Sequence, residues 1–158
     1  MSPRLSSAAP GPQLLREWQR LTQSGMQASR DACPAKALAW HERALRVAHQ
    51  LFHDAPAGVC DDDRLAAFVV AHLNLADCFN TLRQPCSAGE CIHCAHHHLL
   101  ALTQDDNASA ALQAAAGRHL RYTFAALAEQ EDRGASHTFG AQPIDIPSDY
   151  PPPGALLH

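Results

Sequence analysis

Four cysteines crowd into one short stretch, Cys78, Cys86, Cys91 and Cys94, with His93, His96, His97 and His98 among and behind them. The segment Cys91-Ile92-His93-Cys94 is a Cys-x-x-Cys, a spacing that puts two thiolates within reach of one ion. On a helix, residues three and four apart share a face, so Cys91, Cys94 and His98 form one stripe. If the preceding turn centres on Pro85, an antiparallel neighbour brings Cys78 level with Ile92 and His72 level with His98. If the following turn centres near Asp105, His119 also falls level with Ile92. The expectation is a set of Cys78, Cys91, Cys94 and His119 at one height, with His72 and His98 about two turns away. Three Cys and one His suit a closed, structural zinc site. A thiolate-rich helical interior equally suits copper(I). The plainer reading is that Cys78 is a small apolar core residue and the His run a solvated face. A redox role for the Cys-x-x-Cys lacks the strand-to-helix setting that lowers a thiol pKa.

His41, His72 and His119 each interrupt an apolar stripe: Ala37, His41, Ala44, Ala48; then Phe68, His72, Leu75, Phe79; then Leu112, Ala116, His119, Phe124. A histidine so placed usually donates to a carbonyl or a carboxylate. Several meeting inside a bundle, near Glu42 and Asp77, would instead suit a transition metal. A di-iron centre would need Glu-x-x-His pairs on two helices, which the sequence does not supply. There is no Gly-rich phosphate loop, no His-Glu-x-x-His and no Gly-x-Ser-x-Gly. Asp61-Asp62-Asp63 and Asp105-Asp106 read as helix starts. No enzyme is expected from these residues.

The elements that must position them are helices. Of the 158 residues, 30 are Ala, the best helix former and small enough to let helices approach closely. The eleven prolines fall between helices or at first turns. Helix one is expected from Pro12 to Arg30, with Trp18 packing near Trp40 of the next helix. Helix two begins near Pro34 and ends near His53. A loop, Asp54 to Asp62, leads to helix three, Asp63 to Arg83. Pro85 breaks the helix there, and Ser87 with Glu90 forms a capping box that opens helix four, which runs to Thr103. Asp106 or Asn107 caps helix five, which runs to Asp132 and ends at Gly134. Residues 1–11 read as a flexible N-terminus, 12–133 as the helical domain, and 134–158 as a Pro-rich tail, disordered or strapped along the bundle.

Two stretches match at a fixed offset. Gly25, Ala37 and Ala44 in the first correspond to Ala76, Ala88 and Ala95 in the second. The phrase Ala37-Leu38-Ala39-Trp40-His41-Glu42-Arg43-Ala44-Leu45 resembles the second helix of a tetratricopeptide repeat. Asn74-Leu75-Ala76-Asp77-Cys78-Phe79 resembles the first helix of another, with Ala76 at the usual Gly position and Phe79 at the usual aromatic. The resemblance covers roughly residues 13–130; the Trp and Pro of the repeat are missing and the stretch between the units is long. It implies an all-α fold of two antiparallel hairpins plus a capping helix. It also implies a concave face lined by the first helix of each pair, with Val70, Leu73, Asp77, Asn80 and Thr81 meeting a protein or peptide partner.

The formal net charge is −4 and scattered, which gives neither a nucleic-acid stripe nor a polybasic membrane patch. No apolar run reaches the roughly 18 residues of a membrane span. Residues 1–13 lack an apolar signal core, so a cytoplasmic location is expected, where six cysteines stay thiols or ligands. The leading expectation is a non-catalytic tetratricopeptide-like adaptor. The alternative is a small helical protein that stores, buffers or senses zinc or copper through Cys78, Cys91, Cys94, His98, His119 and His72.

Overall fold

In a computed structural model of the protein, residues 9–139 are described and the regular structure is entirely helical. The five helices are α1 (Pro10–Arg30), α2 (Pro34–Asp54), α3 (Asp61–Thr81), α4 (Pro85–Gln104) and α5 (Ala110–Phe139). Each begins where a backbone N–H is dispensable or is taken up by a side chain. Proline opens α1, α2 and α4, where its fixed φ is already helical and its missing N–H has no partner to lose. Cys60 Sγ accepts from the Asp63 N–H at 3.4 Å at the start of α3. Ser109 Oγ accepts from the Leu112 N–H at 3.1 Å at the start of α5.

Most boundaries fall within two residues of the sequence expectation; three differ in their caps or by more. Pro85 is the first residue of α4 rather than a break before it, so Ser87 and Glu90 lie inside the helix and no capping box forms. Ser109 caps α5 in place of Asp106 or Asn107, because Asp105 Oδ1 has already accepted from the Asn107 N–H (2.9 Å) to close a turn. Gly134 does not end α5, which runs on to Phe139. An internal Gly costs a helix only about 1 kcal/mol relative to Ala, too little to stop one by itself. The remaining tail, 140–158, and the first eight residues lie outside the described residues.

The first and third inter-helix turns are copies of each other. After α1, Ala32 takes a left-handed conformation (φ 55°) and the Cys33 N–H bonds Ala28 O at 2.9 Å; Pro34 follows at once. After α3, Arg83 does the same (φ 59°), the Gln84 N–H bonds Phe79 O at 2.8 Å, and Pro85 follows. This is the Schellman ending, which satisfies the last carbonyls of a helix. Consecutive helices pack as antiparallel hairpins, and α3 touches all four others. The backbones of α2 and α4 do not approach.

Small residues set these distances. Ala37, Ala44 and Ala48 of α2, Ala88 and Ala95 of α4, and Ala116 of α5 have no exposed surface. The main core joins Phe52, Leu65, Phe68, Val69 and Leu99 with Ala95, Ala115 and Ala116. Trp40 packs with Leu38 against Ala28, Ala37 and Cys78 in the first hairpin. The buried Arg64 donates to Phe52 O (2.7 Å) and pairs with Asp61 (2.9 Å), so its charge is spent on a carbonyl near the end of α2 and a carboxylate at the start of α3.

At Gly25 a side chain of α2 lies directly on α1. A Cβ built there would sit 2.5 Å from His41 Cε1 and within 2.7 Å of both ring nitrogens, because the imidazole lies on the α1 backbone. Gly117 has nothing within 4 Å of such a Cβ. Gly25→Ala is therefore expected to lose about 1–3 kcal/mol by overpacking, while Gly117→Ala gains up to about 1 kcal/mol from helix propensity. Urea denaturation of the two variants checks both signs, and a stabilised Gly25→Ala would contradict the His41 packing.

Candidate functional site

The thiols do not converge as the turn arithmetic expects. Cys78 is on the side of α3 that faces the first hairpin, buried with Ala28, Ala37 and Trp40. Cys91 packs on the other side, against Ala76, Ala88 and Ile92. Cys94 lies one turn on from Cys91, its sulfur 3.7 Å from His98 Nδ1. His119 is held by Asp62 at 3.2 Å, at the opposite end of α3 from Cys78. Among the described residues, no three His, Cys, Asp or Glu side chains are set to hold an ion as they stand. The expected register fails because it counts heights without faces: Cys78 and Cys91 sit on opposite sides of α3. Burial pushes the Cys91 thiol up to about 11, with the neighbouring Cys94 and Glu90 adding to it, and burial also raises Cys78 and Cys94. These three sulfurs are protonated thiols at neutral pH.

The histidines do come together, in a different combination. His49 and His53, one turn apart on α2, stack at 5.6 Å between ring centroids. His49 is 5.3 Å from His72 on α3, and His53 is 6.0 Å from His98 on α4. Phe68 touches His49, His72 and His98 from below (5.1, 4.4 and 5.5 Å). His72 Nδ1 bonds Phe68 O at 2.8 Å, and His98 Nδ1 bonds Cys94 O at 2.8 Å. A carbonyl only accepts, so both rings carry a proton on Nδ1 and leave Nε2 out of that bond, on a buried ring at His72 and a half-buried one at His98. Of this seam, sequence reasoning finds His72 and His98 and misses His49 and His53. Their i, i+4 spacing is the available signal, hidden because His49 falls beside the Ala44–Ala48 stripe and not in it.

Two clefts flank α3 on its other exposures. The first, about 330 Å³, lies between the α1–α2 hairpin and α3 and is lined by Met26, Arg30, His41, Asn74, Asp77 and Thr81, among others. Two of its lining residues, His41 and Asn74, each keep a polar atom (Nδ1 and Nδ2) buried without a hydrogen-bond partner. The second, about 230 Å³, lies between α3–α4 and α5 and is lined by Leu73, Asp77, Asn80, Tyr122, Glu129 and Arg133, among others. Asp77 borders both, and burial raises its carboxyl pKa, opposed by Arg133 and helped by Glu129. Asn80 Nδ2 donates to Gln130 Oε1 at 2.9 Å, which ties α3 to α5 at the end of the second cleft. A third hollow, about 290 Å³, continues past Asn80 between Arg83 and Arg133. Of the five residues expected on a concave face, Leu73, Asp77, Asn80 and Thr81 line these clefts, and Val70 is 37% exposed.

The family model described as "protein of unknown function (DUF2753)" matches residues 16–138, and the protein belongs to that family. No curated protein and no solved structure shows significant similarity to it. No described helix is long and apolar enough to cross a membrane.

The buried groups set the response to pH and to alkylation. Burial, opposed by the Phe68 carbonyl bond and assisted by His49 and His98, lowers His72 from 6.5 to about 4; burial also lowers His41 and His49. A group whose folded pKa is depressed binds more protons when unfolded, so stability is full above about pH 6.5 and falls as pH drops toward 4. His72 alone accounts for about 3 kcal/mol of that loss. Denaturation midpoints across this range, with His72→Gln flattening the slope, test it. The thiols should divide evenly under iodoacetamide at pH 7.5: exposed Cys33, Cys60 and Cys86 react first, and Cys78, Cys91 and Cys94 react only as the protein opens or the pH rises. Mass mapping of the labelled positions decides this, and early labelling of Cys91 would contradict its burial.

Proposed function

We propose that this member of a family of unknown function is a cytoplasmic, non-catalytic, tetratricopeptide-like adaptor that holds an extended segment of a partner protein across α1, α3 and α5. The observation that carries this reading is the pair of clefts on either side of α3, joined at Asp77. Such folds alternate inner and outer helices, and here α1–α3 and α3–α5 are in contact while the α2 and α4 backbones stay apart. The matched turns after α1 and α3 support a repeated hairpin. The six free thiols agree with a reducing compartment.

The lining indicates what the segment would offer. Backbone N–H groups of the segment suit the Asp77 carboxyl, which borders both clefts. Arg83 and Arg133, at the end of the second cleft, suit a carboxylate side chain. Apolar contact would come from Met26 (47% exposed), Val70 and Tyr122 (47% exposed).

The test is selection from a displayed peptide library on the full-length protein, with every binder re-measured on Tyr122→Ala and Arg133→Glu. Both side chains line the clefts, and Tyr122 is largely exposed, so helicity by circular dichroism should be unchanged. The expected result is at least a tenfold loss of affinity in each variant and enrichment of acidic residues among the binders. No selected peptide, or peptides indifferent to both substitutions, would sink the adaptor reading.

A further inference from the structure

The gap between α2 and α4 is bridged by aromatic and imidazole rings and not by backbone. Phe52 and His53 reach across from α2 to His98 on α4 at 5.9 and 6.0 Å between centroids, with Phe68 of α3 as the floor. Three features of this seam are those of an ion site. His49 and His53 stand at i, i+4 on one helix face, the spacing at which two imidazoles chelate one ion. Zn–N bonds of about 2.0–2.1 Å put the centroids of two ligating imidazoles roughly 5–6 Å apart, and the 49–53 and 53–98 pairs are at 5.6 and 6.0 Å. The Nδ1 proton of His98 is committed to the Cys94 carbonyl, the outer-shell bond that fixes a metal-binding tautomer with Nε2 free.

We propose that His49, His53 and His98 bind one divalent ion of the zinc class between α2 and α4, with water completing its coordination. The donors do not meet at one point as they stand. Binding therefore requires exposed His53 and half-buried His49 to turn about their side-chain bonds toward Nε2 of His98, whose ring the Cys94 carbonyl holds in place. Cys94 is not a ligand in this arrangement: its sulfur lies beside Nδ1 of His98, away from the free Nε2. His72 is buried at 2% exposure beneath the others and supports His49 from below. The ion would link the two hairpins where their backbones do not touch, and so would stabilise the fold in proportion to its occupancy. The ion site is independent of the peptide clefts, which lie elsewhere around α3.

Cobalt(II) titration of the untagged full-length protein under reducing conditions at pH 7.5, followed by zinc displacement, tests it. The expected result is one cobalt per protein molecule, no sulfur-to-cobalt charge-transfer band, and a rise in the unfolding temperature with zinc. His53→Ala and His98→Ala should each weaken binding at least tenfold with helicity unchanged, while Cys94→Ser and the exposed pair His93→Ala/His97→Ala leave it as it was. A thiolate band abolished by Cys91→Ser or Cys94→Ser would place the ion at the Cys-x-x-Cys and overturn the proposal. Loss of binding in His93→Ala/His97→Ala, or no binding at 100 µM cobalt, would overturn it too.

Discussion

The close approach of helices at small residues is the constraint on which the rest of this protein depends. With 30 Ala among 158 residues, the protein has few large side chains with which to fill a core. It compensates by bringing backbones together, so that dispersion contacts between backbones replace those between bulky side chains. Ala37 and Ala44 do this for the first hairpin and Ala88 and Ala95 for the second, all with no exposed surface. Gly25 takes the principle furthest, giving up a side chain so that His41 can lie on the α1 backbone. The large residues that remain, Phe52, Phe68, Leu65 and Leu99, are then concentrated around the N-terminal half of α3.

That concentration makes α3 the organising element, and its faces carry separate duties. One face is taken by Cys78 against the first hairpin and another by Ala76 against Ile92 and Ala88. A third, at Phe68 and His72, supports the imidazole seam, and the edges at Asp77 border the clefts. A helix contacted on so many sides cannot show a simple amphipathic stripe. This is why its run Leu65 to Phe79 is apolar nearly all round.

The legibility of the sequence follows from the same physics. The helices can be read because proline placement and Ala content act locally: Pro34 marks a first turn as expected, while Pro10 and Pro85 open helices expected to begin at Pro12 and after Pro85. The offset pairs Gly25/Ala76 and Ala37/Ala88 can be read because close packing demands small residues at fixed spacing. The caps are harder: Ser109 takes the place expected for Asp106 or Asn107, and Cys60 caps α3 although its residue type does not mark it, because both are set by where the backbone turns. The site is least legible. Counting residues from assumed turns gives height along a helix but not azimuth around it. Cys78 and Cys91 match in height and face opposite ways, whereas His49, His53 and His98 share a seam that no single helix reveals.

The twin turns at Ala32 and Arg83 bear on how such a protein tolerates change. Neither left-handed position is held by glycine, so residue type there is negotiable at about 1 kcal/mol. Turn length is not. One added residue would swing the next helix by about 100° around its axis, and the Ala37–Ala44 or Ala88–Ala95 face would turn out of its contact. Insertions are therefore best accommodated in the longer connection between α2 and α3, Ala55 to Cys60, where two separately registered hairpins are joined. Even there the connection is not a free tether: Ala57 and Val59 lie against Gly11 of α1, and Phe52 stacks on Phe68 across the α2–α3 contact, so added length is tolerated only where it leaves those contacts in place.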